Sequence, residues 1–283
     1  MIRGWALIFF FLIHLSPLTG QIADPGFAKY LSDKGYYQDL LQLDNMSQGY
    51  LNNYQVDSMN FYLGWAGYNL QLLEGGIESF LSVSRESGFF NASRFFASWS
   101  KFYLGQPDKG IDYLKEILQG SHAEQELLHM FKTSGALMKR NIHEADSLLG
   151  TIKKSDVMYA PQWERMEQHT KRLVDFKPKS YAMAGILSSI VPGAGKIYAR
   201  QKGAGTSSFL MVGTLAAITI ENGYKTGWTR WNTLTAASIL TIFYVGNIYG
   251  SIVSVRVYRE RFFNELDRAI LLDINIPLRN IYQ

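Results

Sequence analysis

Two stretches of the chain, YNLQLLEGGIESFL at residues 68–81 and SKFYLGQPDKGIDYLKEIL at residues 100–118, share a pattern that decides the fold of the first half. Similar residues recur at a spacing of 34 in five pairs. Two antiparallel helices of about a dozen residues each, joined by turns, use about 34 residues, so this period predicts stacked helix pairs. The pairs are Phe61 and Phe95, Trp65 and Trp99, Leu70 and Leu104, Gly76 and Gly110, and Ile77 and Ile111.

The same stretches resemble the tetratricopeptide repeat family, with Gly76 and Gly110 at the small position where the two helices of a repeat touch. A looser unit, LMKRNIHEADSLLGTI, places Ala145 at that position, and LSDKGYYQDLLQL looks like a degenerate first unit. The resemblance covers about residues 25–175. It implies an α-solenoid of about three to five repeats.

Members of that family hold peptides or protein partners on a concave surface, and the resemblance implies the same role here. Five aromatic residues on the first helices of the repeats could line such a groove. A stripe of aromatic residues at helical spacing is also typical of a core, so both interpretations stay open. The five residues are Tyr62, Trp65, Phe96, Trp99 and Tyr103.

The composition excludes several classes of function. The 283 residues include no Cys, which excludes disulfides, thiolate catalysis, zinc ribbons and iron–sulfur clusters. The net charge of +4 comes without a basic stripe in the first half, so we expect no nucleic-acid partner. His122, Glu126 and His129 share one predicted helix face, but a di-iron site needs a second Glu-x-x-His pair, which the sequence lacks. We expect no metal, no cofactor and no catalytic activity.

The first 20 residues, MIRGWALIFFFLIHLSPLTG, have the layout of a secretory signal peptide. Arg3 precedes an apolar run, and the small residues Thr19 and Gly20 follow it. The run is too short to span a membrane comfortably, although an uncleaved N-terminal anchor is the alternative. We therefore expect export, with residues 1–20 as the signal and residues 21–176 as the repeat domain.

The second half begins after the basic, proline-marked segment VDFKPKS at 174–180. Three runs that follow carry no charged residue: 180–195, 203–220 and 231–255. The last two are long enough to cross the hydrocarbon core of a bilayer as helices. The first is marginal and could be a re-entrant segment, an interfacial segment or a short span. Residues 177–260 are predicted to form a membrane domain of two or three transmembrane helices.

The glycine-rich stretch IVPGAGKIYARQKGAG does not match a nucleotide-binding loop, because no Ser or Thr follows Gly195-Lys196. We interpret it as a tight membrane turn, with Lys196, Arg200 and Lys202 near lipid phosphates. It resembles the Pro-Gly-x-Gly-x-x-Tyr membrane domains of bacterial envelope proteins, which are related to the TM-two type. That resemblance implies an architecture and no activity. The motif residues are Pro192, Gly193, Gly195 and Tyr198.

The charges next to the apolar runs favour an orientation. Three crossings after an exported repeat domain would place the basic residues near 196–202 and 256–261 in the cytoplasm, as the positive-inside rule favours. Two crossings would leave both groups outside, so the sequence favours three. Gly246 and Gly250 form a small-x3-small pair, which fits either an intramolecular hairpin or a homodimer contact.

Residues 261–283 are predicted to form an amphipathic helical tail. Phe262, Phe263, Leu266 and Ile270 fall on one face of that helix. An apolar face of this kind lies along the membrane surface or against a partner.

The sequence therefore predicts an all-α protein, with a tetratricopeptide-like α-solenoid followed by a two- or three-helix transmembrane domain. We expect it in a bacterial inner membrane, with the repeats in the periplasm. Its predicted function is that of a scaffold or assembly factor of the cell envelope, without catalysis, in contact with membrane lipid. The alternative is an accessory or ligand-sensing subunit of a membrane transporter, with Glu221, Asn247 and the basic loop as working groups.

Overall fold

The computed structural model describes residues 24–44, 53–152 and 157–282, and all regular secondary structure in those ranges is α-helical. The all-α class that the sequence predicts is therefore confirmed. The signal peptide predicted at residues 1–20 lies outside the described residues.

The chain divides into two compact units, which we name the repeat unit and, after the predicted membrane domain that it contains, the membrane unit. The repeat unit runs to Gly135 and includes the C-terminal segment from Asn275, whereas the membrane unit is Ala136–Ile274. The repeat unit contains α1 (Pro25–Lys34), α2 (Tyr37–Asp44), α3 (Asn53–Asn69), α4 (Leu73–Leu81), α5 (Phe90–Tyr103), α6 (Pro107–Leu114) and most of α7 (His122–Met138). The membrane unit contains α8 (Ile142–Gly150), α9 (Ala160–Val174), α10 (Tyr181–Ile190), α11 (Ala194–Tyr198), α12 (Lys202–Thr226) and most of α13 (Trp231–Tyr282).

The residues at which the helices begin and end show the predicted 34-residue period. α3 ends at Asn69 and α5 ends at Tyr103, which is an offset of 34 residues. α4 begins at Leu73 and α6 begins at Pro107, which is the same offset. The helix pair is thus the repeated element of this half, as the sequence predicts.

Each reversal between paired helices passes through one residue with a left-handed backbone. Such a residue closes a helix because the amide after it bonds back to a carbonyl five residues earlier. In the α3–α4 turn Gln71 has φ +60°, and the Leu72 amide donates to the Gly67 carbonyl at 2.8 Å. The same two features occur in four other turns, at Gly35, Gly105, Arg140 and Arg200.

Glycines let the paired helices approach closely. A Cβ atom on Gly76 would lie 3.1 Å from the Gly64 carbonyl oxygen, and one on Gly67 would lie 2.8 Å from Gly76 Cα. A Cβ atom on Gly110 would lie 2.5 Å from the Phe102 ring. The predicted role of Gly76 and Gly110 as the contact position is confirmed. The core around these crossings is rich in phenylalanine, with Phe80, Phe95, Phe96, Phe102 and Phe131 fully buried.

In the membrane unit, the middle of α13 packs on residues that precede the apolar runs. Arg140 donates two hydrogen bonds to Asp267, at 2.6 and 2.7 Å. Phe176, just after α9, stacks on Phe262 with ring centroids 4.0 Å apart. The chain therefore leaves α9, passes through the apolar runs and returns to the residues from which it left.

The predicted amphipathic tail is helical and forms the end of α13. Leu266 and Ile270, on its predicted apolar face, are fully buried. Asp273 is also buried and binds Arg165 and His169 of α9. This face is covered by the protein itself rather than by a membrane surface.

Two helices, α12 and α13, are long and apolar enough to cross a membrane. Large apolar side chains on them face outward, with Leu210 66%, Ile242 70% and Val245 59% exposed. Exposed apolar surface of this extent is typical of a membrane or partner contact. α10 has only ten residues, which rise about 15 Å, half of the hydrocarbon thickness. The expected third crossing is thus corrected to two possible spans among the described residues.

Candidate functional site in the repeat groove and the membrane turn

The aromatic residues of α3 and α5 meet around Tyr68. Its ring stacks on Trp65 at a centroid distance of 5.3 Å and meets Phe96 and Trp99 edge-on at 5.2 and 4.9 Å. These residues lie on consecutive turns of two neighbouring helices, which the 34-residue period places side by side. We call the surface formed by Trp65, Tyr68, Phe96 and Trp99 the groove.

The groove holds the C-terminal segment of the chain itself. The Tyr68 hydroxyl donates to the Asn275 side-chain carbonyl at 2.5 Å. The Arg279 guanidinium lies 5.5 Å from the centroid of the Trp65 ring, a cation–π geometry. Asn275, Arg279 and Tyr282 are spaced by four and three residues, so they share one face of α13. The groove is therefore a surface that binds a helix.

Tyr282 fastens the end of this segment. Its hydroxyl donates to the Glu124 carboxylate at 2.6 Å, and its ring lies 6.0 Å from Phe95 and 6.3 Å from Phe96. Burial raises the pKa of Tyr282, and the hydrogen bond to Glu124 raises it further. At neutral pH the contact is thus a phenol hydroxyl on a carboxylate, which is a strong type of hydrogen bond.

The ionisation of the groove is set by burial and by these bonds. Burial raises the pKa of Tyr68 to about 12, although Arg279 and the bond to Asn275 oppose the shift. Burial pushes the pKa of Glu124 upward, but hydrogen bonds from Tyr282 and other donors outweigh it and hold that pKa below its ordinary value. Tyr68 stays neutral and Glu124 stays charged across the physiological range, so both keep their bonds to the segment.

The structure places the five predicted groove residues differently from one another. Trp65 and Phe96 are buried beneath or beside the C-terminal segment, and Trp99 is half-buried against Tyr68. Tyr103 is 48% exposed and stacks on Trp99. Tyr62 is half-buried and packs on Phe61 and Phe89. Some of the five residues are buried in the core and others remain exposed. Neither sequence interpretation, groove lining or core, therefore describes all five.

Two cavities flank the docked segment. The larger, about 430 Å³, borders Tyr282, and the smaller, about 170 Å³, borders Arg279. Aromatic side chains and one Lys–Asp pair line the larger cavity: Lys29, Asp33, Tyr37, Phe61, Tyr62, Trp65 and Phe89. The groove thus retains open space beside its present occupant.

The membrane turn is fixed by backbone hydrogen bonds to buried side chains. Gly193 has φ +84°, and its amide donates to the Asn247 side-chain oxygen at 3.1 Å. The Gly195 amide donates to the Ser188 hydroxyl at 2.9 Å. A Cβ atom on Gly193 would lie 2.0 Å from a backbone oxygen in the first turn of α12. Only glycine fits at this position.

Tyr198 completes the motif by returning to the start of α10. Its hydroxyl accepts a hydrogen bond from the Ser180 amide at 3.1 Å. α10 and α11 therefore form a helical hairpin, with the Pro192-Gly193 turn at its tip. This hairpin geometry is compatible with the re-entrant alternative for this run.

Lys196 has a different position from the predicted one. Its amine donates to the Ser208 hydroxyl at 2.7 Å, and its side chain covers Gly250. Gly250 thus serves an intramolecular contact, whereas a Cβ atom on Gly246 would meet nothing within 4 Å.

The residues predicted to act in the transporter alternative form bonds within the protein. Asn247 holds the turn, and Glu221 forms an exposed ion pair with Lys225 one helical turn away. Across the described ranges, no group of three or more His, Asp or Glu residues could hold a metal ion.

A scan against family models, a search of curated proteins and a search of solved structures each find no match to this chain. The two resemblances therefore rest on the sequence motifs alone. The contacts of Tyr68, Glu124 and the C-terminal segment were not predicted. The spacing of Asn275, Arg279 and Tyr282 places them on one helix face but does not identify Tyr68 or Glu124 as their partners.

Proposed function

We propose that the protein is a membrane-anchored, non-enzymatic scaffold or assembly factor of the bacterial cell envelope, and that its repeat unit binds a protein partner. The observation that carries the proposal is the groove, whose aromatic residues receive a helical segment. The partner is a helix that offers a hydrogen-bond acceptor, a cation and an aromatic ring at the spacing of residues 275, 279 and 282.

The partner enters by displacing the C-terminal segment or by extending beside it into the flanking cavities. The segment's contacts include the Tyr68–Asn275 and Tyr282–Glu124 hydrogen bonds and the Arg279–Trp65 contact. A hydrogen bond of this kind contributes about 1 kcal/mol net, so a partner helix that reproduces the segment's contacts and adds its own would compete.

We also propose that the repeats lie in the periplasm of a bacterial inner membrane, with two crossings by α12 and α13. A chain that leaves α9 and returns to it must cross an even number of times, which supports two. The predicted signal peptide supports export, because the first hydrophobic segment usually decides the orientation. The basic residues near 196–202 and 256–261 then lie outside, against the positive-inside preference. We give the predicted signal peptide more weight than the positive-inside preference, because the signal peptide emerges first during synthesis.

Crosslinking of the full chain in its native cell, followed by purification and mass spectrometry, tests the scaffold role. It is compared with a chain ending at Ile274 and with the groove variant Trp99→Ala. The proposal predicts one stoichiometric protein, captured more strongly by the shortened chain and less by Trp99→Ala, and released by a peptide of residues 268–283.

If the amount of captured partner is changed neither by Trp99→Ala nor by the peptide, the scaffold role is contradicted. The variant Tyr282→Phe serves as a milder release of the segment if the shortened chain misfolds. The transporter alternative predicts instead that Glu221→Gln abolishes function. A homodimer through the open face at Gly246 remains a further prediction of the small-residue pair.

A further inference from the structure

Three elements of the membrane unit come together where the apolar runs begin and end. The start of α10 meets the end of α11 through the Ser180–Tyr198 hydrogen bond. The residue before α12, Gln201, accepts a hydrogen bond from Ser254 of α13 at 3.0 Å. Ser254 lies at the end of the uncharged run within α13. We call this region the hairpin entrance.

The hairpin entrance is strongly basic. Ranges 175–202 and 255–261 contain eight Lys and Arg residues but only two acids. Within the described residues Lys179, Arg200 and Arg259 form no ion pair. The three cations instead lie over tyrosine rings: Lys179 over Tyr198 at 4.7 Å, Arg259 over Tyr181 at 4.5 Å, and Arg200 near Tyr258 at 6.0 Å.

The Arg259 guanidinium is held in place, but not all of its N–H groups are hydrogen-bonded. One terminal nitrogen donates to the Lys179 carbonyl at 2.6 Å, while its buried Nε has no hydrogen-bond partner among the described residues. A buried guanidinium N–H without a partner costs free energy, which an acceptor oxygen would recover. Guanidinium groups suit phosphate oxygens because their N–H groups form a planar fork.

The position of the hairpin entrance selects the source of the phosphate. It lies at the start of α12 and where the uncharged run within α13 ends, near residue 255, which in the proposed topology is the level of the lipid headgroups. Tyrosine rings around the cations favour the same layer. We propose that the hairpin entrance binds the phosphate of an anionic phospholipid, with Lys179, Arg200 and Arg259 as its ligands. The site rests on the proposed membrane association and is independent of the groove and its partner.

Native mass spectrometry of the full chain tests this site. The protein is released from neutral detergent micelles that contain equal amounts of phosphatidylglycerol and phosphatidylcholine. The variant pair Lys179→Gln with Arg200→Gln is compared with Lys225→Gln with Arg230→Gln, which removes the same charges at the opposite ends of the spans. Each cation near an anionic headgroup contributes about 1 kcal/mol, so removing the two cations of the site pair should reduce phosphatidylglycerol retention about thirtyfold.

The control pair should keep the retention of the unmodified chain. Equal loss in both pairs, or no preference for phosphatidylglycerol in the unmodified chain, would overturn the proposal. Complete competition by millimolar inorganic phosphate would assign the site to free phosphate and overturn the lipid assignment. Arg259→Lys keeps the charge but removes the fork, so a partial loss supports the site even if the pair folds poorly.

Discussion

The helix crossings of the repeat unit and the membrane turn both depend on glycine, but on different neighbours. At Gly110 an added Cβ atom would meet the flexible ring of Phe102 at 2.5 Å and a backbone oxygen at 2.9 Å. At Gly195 it would meet the Ala184 carbonyl oxygen at 2.0 Å. A side chain can move away, whereas a helical carbonyl cannot do so without breaking its hydrogen bond. The Gly110 crossing is thus limited first by side-chain packing, and the turn by backbone contact.

Gly195→Ala should have the largest effect. The clash with the Ala184 carbonyl would open the hairpin and release the Gly195 amide from Ser188, costing about 3 kcal/mol or more. Thermal unfolding of the detergent-purified chain measures the loss. Gly213→Ala is the matched control, because its added Cβ would meet nothing within 4 Å. Equal stability of the two variants would show that the turn is not held by backbone contact.

Gly110→Ala should have an intermediate effect. Phe102 can shift, but the added Cβ would still lie 2.9 Å from the Ser98 carbonyl oxygen, so overpacking should cost about 2 kcal/mol. Gly75→Ala, also on a second helix, has open space and should stabilise the chain by up to about 1 kcal/mol through helix propensity. If Gly110→Ala costs as much as Gly195→Ala, the distinction between packing and backbone contact fails.

Tyr282→Phe should have a smaller and local effect. It keeps the ring and removes the hydroxyl bond to Glu124, which retains other donors, so the loss should be about 1 kcal/mol. Hydrogen exchange should become faster in the C-terminal segment and stay unchanged in the membrane turn. Tyr103→Phe, on an exposed tyrosine, is the control and should leave both regions as they are.

The alkaline titration of Tyr68 should reveal the docked segment with the least disturbance. The pKa of Tyr68, about 12, lies above the ordinary value of 10. The contribution of neutral Tyr68 to folding stability is therefore complete below pH 10 and is lost as the pH rises toward 12. The difference in ultraviolet titration between the intact chain and Tyr68→Phe isolates this group. Ending the chain at Ile274 should move the midpoint toward 10. A midpoint near 10 in the intact chain would mean that Tyr68 is not covered.

The sequence predicts local features of both regions for physical reasons. The 34-residue period follows from helix pairing, and the glycines at Gly76, Gly110 and Gly193 mark close approaches that other residues cannot make. The sequence favours three spans from its charges, but an apolar run has the same composition whether it crosses or turns back. In the structure the Tyr198 hydroxyl accepts a hydrogen bond from the Ser180 amide, so the chain turns back between these two residues.

The docked C-terminal segment could not be predicted for two reasons. The Tyr68–Asn275 bond joins residues 207 positions apart, and such a contact leaves no period in the sequence. Pro277 also indicates the end of a helix, because it removes a backbone donor. The structure continues α13 through it to Tyr282.

Single-cysteine labelling of the full chain most directly tests the claim that the chain leaves and returns to one side of the membrane. The chain has no native Cys, so each introduced thiol is unique. Ser82→Cys, Thr229→Cys and Asn280→Cys report on the repeats, the connection between the spans and the C-terminal segment. An impermeant maleimide should label Ser82→Cys and Asn280→Cys in cells with a permeable outer membrane, and Thr229→Cys only after the inner membrane is opened. Labelling of Ser82→Cys and Asn280→Cys from opposite sides would contradict the account.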